Sequence, residues 1–458
     1  MSADNGIYIL CTKDGYHVKE MAAVENYMWD EDRGKETKDP DVWIKNAREM
    51  WDGCTCHETI EEAYAEAIEI LKKIKREGWF VEYGIVEINV SRNFYPVDMK
   101  ASYFQKNGLR RCFSPEYNWL MNMSTGYFMR WGKNTDEDPQ LSPFGPEILD
   151  IEISTRCSQG CPQCYKSNVA EGDNMSLDNY VAIMRKIPPN VSQIAFGIGD
   201  IDGNPDLQKI MEHTREIGLV PNITINGYRM TDEYFDMLAR LCGAVAVSHY
   251  GDDACFNAIE QLTNRGMAQV NIHKVLAEET AQSCFDLIKK SKEDPRLAKL
   301  NAIVFLLLKP KGDRNTMTVL KDNTVYRDLL LLANELGVSI GMDSCSGPSM
   351  LKGCEGVASL DTRSLETCVE PCESSCFSFY INALGEGFPC SFCEGETGWE
   401  KGIDLYQVTD FIKEVWNSTR ITAWRAKLLG STSECSDCKF QTGCRACPQF
   451  DLTPCLGG

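Results

Sequence analysis

The chain has 458 residues, 43% of them hydrophobic and 25% charged, and its 47 basic against 67 acidic side chains give a formal net charge of −20. At this length two or three domains are expected rather than one small core, and the acidic balance counts against non-specific nucleic-acid binding because it repels phosphate backbones at long range. No apolar run reaches the ~18 residues of a membrane span. The opening MSADNGIYILCTKDGY lacks the basic and apolar segments of a signal peptide, so a cytoplasmic protein is expected.

Residues 1–131 read as a small α+β region. NGIYILCT (5–12) and YGIVEINVS (83–91) have the composition of strands. Between them Thr59 and Glu62 make the capping-box signature of a helix. Its apolar residues Ile60, Tyr64, Ile68, Leu71 and Ile74 recur at helical spacing until Gly78. Residues 132–147 carry three prolines, two glycines and a charge cluster and read as a linker.

Residues 148–343 alternate short apolar runs with amphipathic stretches. The runs are ILDIEIS, QIAFGIG, PNITING, AVAVSHY, AQVNIHKVL, NAIVFLLLK and GVSIGMD, with helical patterns such as SLDNYVAIMRKI and DLQKIMEHTREIG between them. This alternation predicts βα units on a parallel sheet, an α/β fold of the TIM-like kind whose six or seven units suit a complete or partial barrel, here expected as a partial (β/α)6 barrel with its chemistry at the C-terminal ends of the strands. Residues 344–458 lose the rhythm. One helix is legible there, LYQVTDFIKEVWNS (405–418), followed by TAWRAKLLG (422–430).

Cysteine organises this last region. More than half of the 22 cysteines lie from Cys345 to Cys455, several in C-x2-C or C-x3-C steps too short for easy internal bridging. Without an export signal, metal or iron–sulfur ligation in a reducing compartment is the better reading. A second group, Cys157, Cys161 and Cys164 in STRCSQGCPQCYKS (154–167), follows the first barrel strand directly, and the next cysteine is Cys242. A structural zinc and an ordinary iron–sulfur cluster want four protein ligands. A 4Fe–4S cubane held by three thiolates leaves one iron open to a substrate or cofactor. The alternative is zinc, or a cluster whose fourth ligand comes from elsewhere in the chain.

The C-x3-C-x2-C step at this place resembles the radical S-adenosylmethionine (radical SAM) superfamily, with one departure: Gln163 precedes the third cysteine where an aromatic is usual, and Tyr165 follows it. The resemblance implies that the open iron binds the amino and carboxylate groups of S-adenosylmethionine, whose reductive cleavage gives methionine and a 5′-deoxyadenosyl radical that abstracts hydrogen from substrate. In FGIGDIDGNP, Gly197 and Gly199 match the family's glycine-rich turn, and Asp200 takes the place of the acid, more often glutamate, that contacts the methionine amino group. Asn226, Ser248 and His273 stand at strand ends that the family uses for cofactor or substrate. Taken alone, each of these polar residues reads equally well as a cap or a satisfied core group.

CVEPCESSCFSFYINALGEGFPCSFC (368–393) and CSDCKFQTGCRAC (435–447) resemble the SPASM extension of that superfamily, which binds two auxiliary 4Fe–4S clusters. Cys372-x12-Gly385-x4-Cys390 matches its first half. In the second half the interval after Cys444 is two residues where three is usual. The resemblance implies a first auxiliary cluster on Cys372, Cys390, Cys447 and one of Cys368 or Cys376, with Cys393 competing, and a second on Cys435, Cys438, Cys444 and Cys455. A zinc ribbon is the alternative. Carried over residues 148–458, the resemblance implies three 4Fe–4S clusters, S-adenosylmethionine and an external electron donor such as flavodoxin or ferredoxin. The substrate it implies is a peptide or protein, epimerised or crosslinked. Runners-up are a nucleobase or other small metabolite, in line with the likeness of ADNGIYIL to small proteins of phage genomes, and a non-catalytic iron–sulfur or zinc scaffold. Cys345, in GMDSCSG just past the last barrel strand, fits neither SPASM half by spacing. It reads as a packed thiol, as a spare ligand, or as the hydrogen donor to a substrate radical, the part a cysteine plays in radical peptide epimerases.

Overall fold

The computed structural model describes residues 5–12, 15–22, 29–30, 35–36, 51, 53–78, 81, 84–89, 101–106, 108–135, 137–357, 369–429, 445 and 447–452. The chain divides into two compact units, Met1–Phe104 with Cys112–Asn118 and Gln105–Arg111 with Trp119–Gly458.

In the first unit, strands Asn5–Thr12 and Gly15–Ala22 pair antiparallel from Asn5↔Ala22 to Thr12↔Gly15. Ile85–Asn89 lies parallel on the other side of Asn5–Thr12, and Cys56–His57 pairs with Gly15–Ala22. The helix Ile60–Arg76 covers this sheet, burying Ala63, Ala67 and Ile74 against Ile7, Ile9 and Val18. Its capping box is formed: Glu62 N–H donates to Thr59 Oγ1 at 3.3 Å, and Thr59 N–H donates to the Glu62 carboxylate at 3.4 Å.

In the second unit all seven apolar runs become strands: β1 Ile148–Glu152, β2 Gln193–Gly197, β3 Val220–Ile225, β4 Val245–Ser248, β5 Val270–Leu276, β6 Ala302–Leu307 and β7 Ile340–Met342. Six helices alternate with them: α1 Leu177–Met184, α2 Leu207–Glu216, α3 Asp232–Leu241, α4 Asp252–Asn264, α5 Ala281–Glu293 and α6 Thr324–Leu336. Three more strands follow, β8 Ser378–Ile381, β9 Glu386–Phe388 and β10 Ile403–Asp404. The sheet order is β7-β6-β5-β4-β3-β2-β1-β8-β9-β10, parallel from β7 through β8 and antiparallel beyond. This is a partial (β/α) barrel. Its sheet continues past residue 344, because β8 pairs in parallel with β1 (Ile148↔Ser378 to Ile151↔Ile381).

Strand alternation sorts the side chains. Leu149, Ile151, Ile194, Phe196, Ile223, Ile225, Val245, Val247, Ile272, Ile303 and Phe305 are fully buried in the core shared with the helices, each worth about 1.5–3 kcal/mol. The opposite face carries the register rows Glu152–Gly197–Thr224–Ala246–Asn271 and Ser248–His273–Val304. Its polar side chains are Glu152, Thr224, Asn271, Ser248 and His273, set among smaller or apolar residues. The proline-rich stretch before β1 packs on the barrel: Asn190 Nδ2 donates to Ser142 Oγ (3.0 Å) and Gly145 O (2.8 Å), and Trp416 Nε1 donates to Ser142 O (2.8 Å).

The helix expected over 405–418 is shorter than its pattern. A π-helical turn, Ile412–Trp416, ends at Asn417, and Ser418 caps a separate helix, Thr419–Leu428, by accepting from Ile421 N–H at 3.4 Å. The Glu414 carboxylate takes the Thr409 and Asp410 N–H groups at 3.3 and 2.9 Å, which holds the start of the expected helix out of helical conformation.

On the chamber face, burial raises the Asp150 carboxyl from 3.8 to about 6. Its proton is held more tightly in the folded chain. The cost of ionising it is therefore absent below the ordinary value, grows as the pH rises to about 6 and is constant above, reaching at most about 3 kcal/mol. Asp150→Asn should melt higher than the parent at pH 8 and equal to it near pH 4 in thermal denaturation. A difference that does not change with pH contradicts this.

Candidate functional site

The chain leaves β1 through a loop that returns on itself. Thr155 N–H donates to Asp173 O (2.9 Å), Asp173 N–H to Thr155 Oγ1 (2.8 Å), Cys157 N–H to Val169 O (2.9 Å) and Met175 N–H to Ile153 O (3.0 Å). Cys157, Cys161 and Cys164 all lie inside this closed loop, half-buried. Burial raises the Cys161 thiol, and the Cys157 and Cys164 charges raise it further, while a hydrogen bond with the Tyr250 side chain opposes them. Among the described residues no three His, Cys, Asp or Glu side chains converge as on a single metal ion. The next cysteine, Cys242, is buried at the end of α3 beside Arg215.

The loop after β6 presses on the thiol loop. Asp313 N–H donates to Ser167 Oγ at 2.8 Å, Arg314 donates to Asn168 O at 3.0 Å, and a Cβ on Gly312 (φ +101) would stand 2.2 Å from Cys164 O. From β2 comes the counterpart. A Cβ on Gly199 would meet Arg156 O at 2.2 Å and Cys157 Cβ at 2.6 Å, so this glycine is dictated by close approach. Gly197 is not: a Cβ there would be at an ordinary 3.5 Å from Glu152 Cα.

Asp200 follows and is buried. Its Oδ2 accepts from Ser158 N–H (2.8 Å) and Arg229 (3.3 Å), and its Oδ1 accepts from Asn226 Nδ2 (3.1 Å), with Cys157 Sγ at 3.9 Å. Burial pushes this carboxyl up, but the hydrogen bonds from Ser158 and Asn226 and the Arg229 charge outweigh it and hold it below the ordinary value. Asn226 also donates to Gly199 O at 3.1 Å. Arg229 has a positive φ (+58), a left-handed backbone unusual for a non-glycine residue. Thus β1, β2 and β3 deliver their ends to one carboxylate.

Ser248 and His273 are register partners on β4 and β5. Burial lowers His273 to about 4, only partly offset by Asp343, so its imidazole is neutral at neutral pH. Asp343, just past β7, pairs with the buried Lys309 beyond β6. Sequence reasoning missed Tyr250, Arg229 and Lys309. The signal for Lys309 was a lysine directly ending the apolar run AIVFLLL; for Tyr250 it was a strand-end position two residues past Ser248.

The C-terminal thiols form a second group. The thiols of Cys345 and Cys372 act on each other, so that Cys345 is lowered and Cys372 raised from the ordinary thiol value. Cys390 and Cys393 are 3.4 Å apart, sulfur to sulfur. Burial pushes Cys447 up to about 11, with the Cys390 and Cys345 charges adding. Cys376 is buried, and after burial the charges acting on its thiol are those of Arg445, Arg425, Glu373 and Arg130. Cys368, Cys435, Cys438, Cys444 and Cys455 lie outside the described residues. The two thiol groups meet across Tyr165 and Phe392, whose ring centroids are 4.4 Å apart, and across Lys166, which pairs with Glu394, contacts Glu152 at 3.1 Å and donates to Tyr380 Oη at 2.7 Å.

The two glycines of the β2 turn should separate in mutagenesis. Gly199→Ala forces the thiol loop away at a cost of about 1–3 kcal/mol and should lower the melting temperature accordingly, whereas Gly197→Ala should leave it close to the parent's. Equal melting temperatures for the two variants contradict the close-approach argument.

Residues 151–271 match the sequence profile of the Radical SAM superfamily. Over 152 residues, 32% of this chain, the sequence is 28% identical to the tungsten-containing aldehyde ferredoxin oxidoreductase cofactor-modifying protein of Pyrococcus furiosus, and the match spans 40% of that relative's length. The fold is similar to that of SuiB from Streptococcus suis. With the structure bound to precursor peptide SuiA the TM-score is 0.57 at 12% identity, covering 76% of this chain and 95% of that one. With the structure bound to S-adenosylmethionine it is 0.53 at 14%, covering 66% and 73%. At these identities the likeness is one of fold. With the three-thiol loop at the C-terminal end of β1 and the profile match over residues 151–271, this part of the chain is similar to the Radical SAM superfamily.

Proposed function

We propose that Cys157, Cys161 and Cys164 hold a 4Fe–4S cluster, that S-adenosylmethionine binds beside it against the ends of β2 and β3, and that the substrate is a peptide or protein. The donor set fits such a group: three thiols in a loop closed at both ends, pressed by Gly199 and Gly312, with a fixed anion alongside. When bound, this cluster supplies the electron that splits S-adenosylmethionine into methionine and a 5′-deoxyadenosyl radical.

The chain's own residues do the rest. Asp200, ionised and immobilised by Ser158, Asn226 and Arg229, offers a carboxylate to the ammonium of the methionine part, its fourth acceptor position being the one that Cys157 Sγ gives up when ligation removes the thiol proton. Ser248 and the neutral His273 keep the chamber polar without adding charge. The peptide reading is supported by the likeness in fold to SuiB, which one structure shows with a precursor peptide. For the C-terminal thiols, Cys345, Cys372, Cys390 and Cys447 act on one another, and we read these four as the ligands of a second cluster, with Cys345 as ligand rather than hydrogen donor and with Cys393, 3.4 Å from Cys390, competing.

The closed three-thiol loop carries this reading, and anaerobic reconstitution tests it. With reductant and S-adenosylmethionine the protein should release 5′-deoxyadenosine, and the joint alanine replacement of Cys157, Cys161 and Cys164 should release none; release from that variant refutes the assignment. Cys345→Ala should lose about four iron per chain and keep 5′-deoxyadenosine formation. Unchanged iron with lost product would return Cys345 to the role of hydrogen donor.

A further inference from the structure

Lys309 is buried at the end of β6, its side chain 4% exposed, and its described anionic partner is Asp343. That partner is pinned: Asp343, two residues before Cys345, accepts from Leu307 N–H at 3.2 Å and from Ser346 Oγ at 2.5 Å. The Lys309 ammonium stands 4.7 Å from the ring centre of Phe392, which lies between Cys390 and Cys393 in the chain. The ion pair is neutral while the thiols are protonated. Ligation deprotonates them, and the same pocket then holds several thiolates. The other cations nearby are turned elsewhere: Lys311 to the Glu394 carbonyl and Glu396, Lys166 to Glu152 and Glu394, and Arg445 to the backbone oxygens of Cys372 and Gln140.

We infer that Lys309 is the counter-charge of the cluster held by Cys345, Cys372, Cys390 and Cys447 and sets its reduction potential. The inference rests on the reading of those four thiols as ligands. The sign follows from charge alone. Reduction adds one negative charge to the cluster, a buried cation favours the reduced form, and its loss shifts the potential down. Loss of the Asp343 charge shifts it up.

The test is an EPR-monitored redox titration of the reconstituted full-length chain, carried out in the variant with Cys157, Cys161 and Cys164 replaced by alanine so that the remaining signal comes from the C-terminal thiols. Lys309→Met should lower the midpoint at unchanged iron content, Lys309→Arg should restore it, and Asp343→Asn should raise it. Opposite shifts from the two partners are not expected of residues that merely pack. Full iron with an unmoved midpoint in Lys309→Met, or in Asp343→Asn should the lysine variant fail to fold, overturns the role of Lys309 and leaves the four-thiol reading standing. If adding Cys345→Ala to this background removes no iron, the four-thiol reading itself falls, and the role of Lys309 with it.

Discussion

The carboxylate of Asp200 is the interaction on which the rest of the site depends. It takes the Ser158 N–H from the thiol loop, the Asn226 amide from the end of β3 and the Arg229 guanidinium from the turn beyond it. Removing such a buried, charge-assisted acceptor leaves its donors unpaired, which costs more than the bonds themselves contribute. Ser158 adjoins Cys157, so the position of the first thiol is tied to the ends of two neighbouring strands. The close approach of Gly199 to Arg156 and Cys157 adds a steric limit to the electrostatic one.

A second constraint joins the two thiol groups. Lys166, two residues past Cys164, is buried among Glu152, Glu394 and Tyr380, and Asn382 fixes the other oxygen of Glu394 at 2.7 Å. Buried ion pairs are weak sources of net stability, yet breaking one is costly because it strands a charge. Their effect here is geometric: the loop bearing Cys390 and Cys393 is held against the loop bearing Cys157, Cys161 and Cys164. The pairing of β8 with β1 makes the same connection through the backbone. The C-terminal region is thus built onto the barrel sheet, which places a second set of thiols beside the mouth where the first set lies.

Much of this was legible in the sequence. Apolar runs separated by amphipathic stretches gave each barrel strand, because strand and helix periods differ and short β-branched runs have few other uses. Three cysteines after the first strand pointed to the site because their spacing is informative in itself. Contacts between distant residues were not legible: Lys166 meets Glu394 across 228 positions, and no local pattern announces such a pair. Nor could a turn that reads Gly-Ile-Gly say which glycine is forced, since that depends on Arg156 arriving in the loop after β1. The 405–418 helix was over-read because its apolar spacing is genuine while a carboxylate, Glu414, competes for the N–H groups at its start. Cys345 was unplaced by spacing and found its neighbours only in three dimensions.

The central claim is that the three-thiol loop holds a cluster with one position open to S-adenosylmethionine. EPR of the reduced protein tests it most directly, recorded with and without S-adenosylmethionine. The account predicts that adding S-adenosylmethionine changes the spectrum of one cluster, and that the change is absent when Cys157, Cys161 and Cys164 are replaced by alanine. A spectrum that S-adenosylmethionine leaves unaltered in the fully reconstituted protein would contradict it.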